Sequence, residues 1–415
     1  MSDNGKPNEF VRESDSRKRL HHHLAEACIL TLEEILSGRE AADRAVGAAL
    51  GSHPKWGSRD RAFFASTVYE TVRWRRRLEF LAGVNEPAPA QVAAGLHWQL
   101  AGYARPPWAE WPEVPDHVLT ERTALLAAGP RAVRESIPDA LDTLASAALG
   151  PAWDAELAAL NQPAPVFLRI HPQRTTLAKT ITALAAAGVS AEPVPGAPLA
   201  LRVTAGRVSP RLAQTGDFEI QDAGSQQVAP FLQPEPGQTV LDICAGAGGK
   251  TLHLVALMEN RGELHAFDTA SHKLKTLRLR AERAGVKVKT NLAEPEVLSR
   301  FMGEADRVLV DAPCSGTGTL RRHPDLKYHV TAESLEEVTT LQRQILHRAA
   351  RTVRDGGRLV YATCSLLPAE NEAQAAWFTA EYPEFTFEEE RRLSPAATGW
   401  DGFYMARWVR RSPEI

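Results

Sequence analysis

The chain has 415 residues, 44% hydrophobic and 24% charged, too long for one ordinary core and too apolar to be disordered throughout. Lys and Arg total 48 against 51 Asp and Glu, a formal charge of −3, so any nucleic-acid contact must be a local patch and not a general basicity. Cys28, Cys244, Cys314 and Cys364 form no CxxC pair and no metal-ligand spacing, which removes a disulfide framework and a zinc site; no metal is expected.

Residues 1–20 are polar without an apolar h-region, and no run of about 18 apolar residues occurs, so secretion and membrane spanning are not expected and a cytoplasmic location is. From Leu20 to Leu81 apolar residues recur at three and four (Leu24, Cys28, Leu32, Ile35, then Phe64, Val68, Val72), which predicts amphipathic helices. His21–His23 reads as part of a helix face. Residues 86–116, rich in Pro and Trp, predict a helix with long connections, and helical pattern resumes to Gly150, giving an all-α first domain, 1–150. Between Lys55 and Arg77 lie seven basic and two acidic residues with Trp56 and Trp74 interleaved. Arg73, Arg75, Arg76 and Arg77 are the candidate RNA contacts of this run, against the plainer reading of a solvated helix face.

Short strands VFLRI, LRV and FEI around the helix LAKTITALAAAG predict a small α+β subdomain, 151–236. From residue 237 the pattern is repeated βα units: TVLDIC, ELHAFD, VKVKTN, DRVLVDAP and GRLVYATCS as strands, then a helix and two strands, FTFEEE and GFYMARWVRR. The fold class is α/β, a mostly parallel sheet with an antiparallel C-terminal edge over 237–415.

Cys244, Ala245, Gly246, Ala247, Gly248, Gly249 and Lys250 follow the first of these strands where it turns into a helix, leaving backbone N–H groups free for a ligand. Cys244 stands where a P-loop needs glycine, so ATP is disfavoured; NAD fits loosely. Asp268 ends the next strand, where a carboxylate can take two ribose hydroxyls or, more plainly, cap a helix. Asp311–Cys314 and Thr363–Ser365 end two later strands, and in an open parallel sheet both ends face the same crevice as the glycine loop. A lone cysteine is usually a small core hydrophobe, but two among turn-forming residues at strand ends suit thiolate chemistry.

The segments LDICAGAGGKT, DAPCSGTGTLRRHPDLKYH, TCSLLPAENE, QDAGSQ and DGFYMARW together resemble the NOL/NOP/Sun family of RNA cytosine-C5 methyltransferases, nearest to its bacterial RsmB (Sun/Fmu) branch. The resemblance spans about residues 166–410, and SRDRAFFASTVYETVRWRR more weakly resembles the NusB-like RNA-binding domain of that branch. It implies a Rossmann-like class I methyltransferase domain that uses S-adenosylmethionine on RNA, with 16S ribosomal RNA the expected substrate and a monomer the expected state. Cys364 would attack the base, Cys314 would serve product release, and Asp311 would hold the cytosine next to the methyl donor. The cofactor would meet residues Cys244–Lys250, Asp268, Asn291 and Asp311, and the RNA would also meet Arg321, Arg322 and Lys327. Two positions depart from the family: Ala247 where proline is usual and Asn291 where aspartate is usual, the latter keeping hydrogen bonding but not charge. An NAD oxidoreductase would leave both cysteine motifs idle. The serious alternative is an inactive RNA-binding or ribosome-assembly factor on the same fold.

Overall fold

The computed structural model describes residues 17–412. The chain divides between Ser136 and Ile137 into two compact units. The expected boundary at residue 150 falls inside the second unit, because helices Asp139–Leu149 and Ala152–Leu160 belong to it, Trp153 Nε1 donating to Asp142 Oδ1 at 2.8 Å.

The first unit is all helical, as its periodicity predicts. Helix His22–Leu36 buries Leu24, Cys28, Leu32 and Ile35, spaced at three and four, and the residue 86–116 segment contributes helix Ala90–Leu100. His22, His23 and Glu26 project together from the exposed start of the first helix, their ligand atoms within 4.8 Å of one another. That is the positive end of the helix, which disfavours a cation. The long helix Ser58–Ala82 kinks at Trp74, and beside the kink the Arg76 N–H donates to Ser136 Oγ at 3.0 Å.

The second unit carries two sheets. Strands β1 (Phe167–Ile170), β2 (Ser190–Val194), β3 (Ala197–Ala205) and β4 (Phe218–Ile220) form an antiparallel sheet in the order β2-β3-β1-β4, with helix Leu177–Ala186 packed on it. β2 has no clear apolar alternation and is the one strand here that pattern reading misses. The larger sheet comprises β5 (Thr239–Asp242), β6 (Glu263–Asp268), β7 (Lys289–Leu292), β8 (Ala305–Asp311), β9 (Val353–Thr363), β10 (Phe385–Leu393) and β11 (Phe403–Arg410) in the order β10-β11-β9-β8-β5-β6-β7. β5 to β9 are parallel and β10 and β11 antiparallel, which is the predicted α/β architecture and edge. The β8 burial of Val308, Leu309 and Val310 on both faces explains why that strand reads as one apolar run.

From β5 the chain steps outward through β6 and β7, then returns to the other side of β5 with β8 and β9. The order therefore reverses between β5 and β8, and such a reversal opens a crevice beyond the strands' C-terminal ends. The glycine loop after β5 and Asp311 at the end of β8 stand on its two lips.

Candidate active site

The turn after β5 is held from below by the smaller sheet. Arg169 of β1 donates to the Gly249 carbonyl at 2.6 Å and to Gln221 Oε1, while Arg280 donates to the Ala247 carbonyl at 2.6 Å and pairs with Glu219 of β4 at 2.8 Å. Gly248 has φ +90°, and a Cβ there would lie 2.1 Å from Leu277 Cδ1, so only glycine fits. Gly246 has φ +55° with open space where a Cβ would stand, so its backbone is bare towards the crevice.

Beyond this turn lies a cavity of about 390 Å³ lined by Cys244, Gly246, Asp268, Pro295, Asp311 and Ile345 among others. Asp268 Oδ2 accepts the Gly246 N–H at 2.9 Å and Oδ1 the Ala270 N–H at 2.8 Å, so the carboxylate both caps the turn after β6 and faces the cavity. It does not cap the following helix, whose N-cap is Ala270 with no side-chain hydrogen bond, and each oxygen keeps a further lone pair for a hydroxyl. The cavity is of a size and composition suited to a nucleoside-bearing ligand, with a carboxylate on one wall, bare backbone on a second and Pro295, Leu298 and Ile345 on a third. Ala245, Ala247, Gly248 and Gly249 form the turn and do not line the cavity, and neither does Lys250. Asn291 does not line it either. Its amide Nδ2 turns back to the Lys289 carbonyl at 3.4 Å, and the wall is made two residues later by Ala293, Glu294 and Pro295.

Lys250 points elsewhere. Its ammonium Nζ donates to Asp311 Oδ2 at 2.6 Å and lies 5.0 Å from the centre of the Phe403 ring. Burial alone would lower the lysine, but the Asp311 charge overrides it and holds Lys250 above its ordinary range.

On the far side of Asp311 the two cysteine turns converge. β8 and β9 run parallel with Asp311 opposite Ala362, so Cys314 and Cys364 leave adjacent strand ends, and their Sγ atoms stand 3.4 Å apart. The turns are stitched by the Gly318 N–H to the Cys364 carbonyl at 2.8 Å and the Leu366 N–H to Thr317 Oγ1 at 2.8 Å. The hydrogen bond between the thiols lowers Cys364, against burial and the Asp311 charge and with help from the Lys250 cation. The same bond and burial push Cys314 well up. Of the two thiols, Cys364 is therefore the one whose ionisation its surroundings favour and Cys314 the one whose ionisation they oppose. Cys244, by contrast, is raised by burial and the carboxylates around it, and is inert as a nucleophile.

The RNA contacts expected beside this loop are corrected by the structure. Arg321 is 4% exposed and Lys327 is buried as well. Arg321 Nε pairs with Asp401 Oδ1 at 2.7 Å; Arg322 pairs with Asp401 Oδ2 at 2.6 Å and Asp222 Oδ2 at 2.8 Å and donates to the Pro165 carbonyl. Asp222 Oδ1 also accepts the Asp401 and Gly224 N–H groups. QDAGSQ, the LRR of the cysteine loop and Asp401 of the DGF segment meet in this ionic knot, in which Arg321 is enclosed and Arg322 is held by two carboxylates with about a quarter of its side chain exposed. In the helical unit, Arg73 is 4% exposed and pairs with Glu70, Arg75 pairs with buried Glu79 at 2.9 Å, Arg76 pairs with Glu86 at 2.8 Å, and Arg77 lies on the Trp74 ring. These four do not form one free cationic face either. The exposed bases of that run are Lys55 and Arg59.

A family model described as the 16S rRNA methyltransferase RsmB/F matches residues 229–409, and the ferredoxin-like domain of RsmF/B-like methyltransferases matches residues 138–208. The ribosomal RNA small subunit methyltransferase B of Xylella fastidiosa is 35% identical over 308 residues, which is 68% of this chain and 72% of that protein. The chain belongs to the RsmB/F methyltransferase family. A probable ribosomal RNA small subunit methyltransferase B of Synechocystis is 36% identical over 269 residues, 63% of this chain and 60% of that protein. The matched region thus spans 60% of the length of the Synechocystis protein, and 62% of that of a ribosomal RNA small subunit methyltransferase B of Klebsiella pneumoniae. The crystal structure of a methyltransferase homologue from Pyrococcus horikoshii superposes with a TM-score of 0.59 at 27% identity, over 68% of this chain and 97% of that one. The RsmB/F match takes in the larger sheet, and with it the glycine turn and both cysteine turns. The ferredoxin-like match takes in β1, β2 and β3 of the smaller sheet that braces the glycine turn.

What sequence reasoning missed in this RsmB/F site is Glu370 with Asn371, buried between the cysteine turns. The signal was the Glu370-Asn371 pair of TCSLLPAENE, an acid and an amide six and seven residues after Cys364.

Proposed function

We propose that the chain is a cytoplasmic S-adenosylmethionine-dependent RNA (cytosine-C5)-methyltransferase acting on small-subunit ribosomal RNA, with Cys364 as nucleophile. The observation that carries this reading is the thiol pair: two sulfurs 3.4 Å apart, beside a Lys250–Asp311 pair, at the lip of a nucleoside-sized cavity. C5 of cytosine is a poor nucleophile until a thiolate adds to C6, and the neighbours of Cys364 favour its thiolate.

In the proposed sequence the Cys364 sulfur forms a bond to C6 and the C5–C6 π pair moves towards C5. Bound S-adenosylmethionine supplies an electrophilic methyl group. Asp268, the Gly246 backbone and the apolar wall of Pro295, Leu298 and Ile345 would hold it, and Asp311 separates that cavity from the thiols. The Asp311 carboxylate and the Lys250 ammonium, held together, would take the N3 and O2 edge of the base and stabilise charge there as the adduct forms. After methylation the C5 proton must leave before the C6–S bond can break and return its electron pair to Cys364. Cys314 is the neighbouring sulfur, and as a thiol it can take that proton only after giving up its own to water. The first unit, with its exposed Lys55 and Arg59, would contribute RNA affinity in the manner of a NusB-like domain, and the protein would act as a monomer.

The test is transfer of tritium from labelled S-adenosylmethionine to small-subunit RNA from a strain lacking the gene, followed by bisulfite sequencing to place the 5-methylcytosine. Transfer by the parent and none by Cys364→Ala is expected. An inactive assembly factor would bind that RNA and transfer no label.

A further inference from the structure

One buried carboxylate at the centre of the site has no part in the reaction as proposed. Glu370 follows β9 in the turn Pro368–Glu370 and is fully buried. Its Oε2 accepts the Ser315 N–H at 2.8 Å and Gln342 Nε2 at 3.1 Å; its Oε1 accepts the Ser365 hydroxyl at 2.5 Å and the Ser315 hydroxyl. Its own carbonyl accepts the Tyr361 hydroxyl at 2.6 Å. Asn371 continues the grip, accepting the Thr363 hydroxyl at 2.6 Å and donating to the Ser365 carbonyl at 2.9 Å.

A buried ionised carboxylate is costly unless its lone pairs are filled, and here four donors fill them. Three of the four come from Ser315 and Ser365, the residues immediately after the two cysteines. A carboxylate serving only to stabilise the core could take donors from anywhere; this one bridges the two turns whose separation sets the Sγ to Sγ distance. Both turns are Cys-Ser, so each serine offers its hydroxyl to the same oxygen.

We propose that Glu370 is the positioning residue of the two-thiol site, a staple that holds the Cys314-Ser315 and Cys364-Ser365 turns together and so keeps the two sulfurs in hydrogen-bond contact. It touches neither base nor cofactor and acts through the serines. The proposal rests on the reaction above for its functional meaning, but its geometry is testable without RNA.

The groups that face Cys364 are Cys314, Asp311, Lys250 and Glu370. Loss of the staple has two opposed effects on the Cys364 thiol. Removing the Glu370 charge alone would make it more acidic, whereas releasing the turns removes the hydrogen bond from Cys314 and makes it less acidic. The sign of the change therefore separates a positioning role from a merely electrostatic one.

The experiment is peptide-resolved alkylation of Cys364 by iodoacetamide in the full chain, from about pH 5 to 10, alongside single-turnover methylation. Glu370→Ala should move the alkylation midpoint of Cys364 upward and lower kcat about 100-fold with little change in RNA KM, the usual scale for misplaced reacting groups. The double variant Ser315→Ala with Ser365→Ala keeps Glu370 and removes only the two hydroxyl contacts; it should shift both readouts the same way by less. It decides the question should Glu370→Ala not melt cooperatively. Glu370→Gln, which retains an oxygen for both hydroxyls, should recover part of the rate. A midpoint that stays put or moves down in Glu370→Ala or in the double serine variant overturns the staple. An upward shift in Glu370→Ala together with no methyl transfer by the parent protein would keep the staple and remove the proposed reaction.

Discussion

Cys314 and Arg321 leave the same turn after β8, yet the sequence spoke clearly about one and misleadingly about the other. Cys314 meets its partner Cys364 because both sit at the ends of neighbouring parallel strands, and strand order alone brings them together. Arg321 and Arg322 find Asp222 and Asp401, acids from the smaller sheet's exit and the start of the last strand, which no local pattern pairs with them. The surroundings of a strand-end thiol follow from topology; a charge's surroundings depend on where distant counter-charges fold. Burying such a knot is acceptable only because every arginine is paired, and removing one partner leaves uncompensated charge.

That contrast is broken or sharpened first at the thiols. Cys364→Ala should reduce methyl transfer by at least about 10³-fold, as expected for loss of a covalent nucleophile. S-adenosylmethionine binding by calorimetry should be unchanged, because the cysteine lies outside the cofactor cavity. Near-parental turnover would show that the nucleophile lies elsewhere. Cys314→Ala should still form the C6 adduct but stall before release, so a denaturing gel should show a slower, nuclease-sensitive band. No such band would mean that the two thiols do not divide the work.

Arg321→Ala should act on the fold and not on RNA recognition. With its side chain 3% exposed between Asp222 and Asp401, its removal should cost about 3–5 kcal/mol of stability. Thermal or urea melts measure that cost, and RNA binding measured well below the transition should keep the parental salt slope. A stable variant with a flattened slope would restore Arg321 as a phosphate contact.

The fold was legible to the extent that its strands carry apolar runs. β5, β6, β8 and β9 do, and the helices between them keep a three-to-four period. β2, with residues Ser190–Val194 mostly exposed, carries no such signal and is ordered by its pairing with β3. In the site, Gly246, Asp268, Asp311 and both cysteines stand where strand-end reasoning places them. Lys250 does not serve the cofactor turn, because its side chain reaches across the crevice to Asp311. Asn291 lies short of the wall, because β7 runs on before turning into it. Glu370 could be seen in the motif but not understood, since its donors lie 55 residues away at Ser315 and five away at Ser365.

A buried acid on β5 gives a smaller effect with a definite sign. Asp242 accepts the Thr251 hydroxyl at 2.7 Å, and burial pushes its carboxyl up to about 7. The unfolded value is about 3.9, so the folded chain binds the proton more tightly and the resulting stability is full below about pH 4. It is lost as pH rises through about 7. Asp242→Asn keeps an acceptor for Thr251 and cannot ionise, so its melting temperature should fall less than the parent's between pH 5 and 8. Parallel curves would mean that Asp242 is ionised in the folded state.

The smallest effect concerns the helical unit and returns to the question of where exposed charge lies. Reversing Arg73, Arg75 and Arg76 would break internal ion pairs with Glu70, Glu79 and Glu86, so any lost RNA affinity would be confounded by lost structure. Lys55 and Arg59 are exposed in the same run, beside Trp56, and suit the experiment better. For single-stranded RNA each phosphate contact contributes about 0.7 to the slope of log K against log salt concentration. Lys55→Glu with Arg59→Glu should therefore flatten that slope by about 1.4 if both meet phosphate, raise the RNA KM, and leave kcat and cofactor affinity unchanged. Their substitution should also leave the melting curve nearly parental, since surface changes away from caps and ion pairs usually fall within about 0.5 kcal/mol. An unaltered slope with an unaltered melt would make this run a solvated face, and the phosphate contacts would then have to be sought in the second unit, on basic residues outside the Asp222–Asp401 knot.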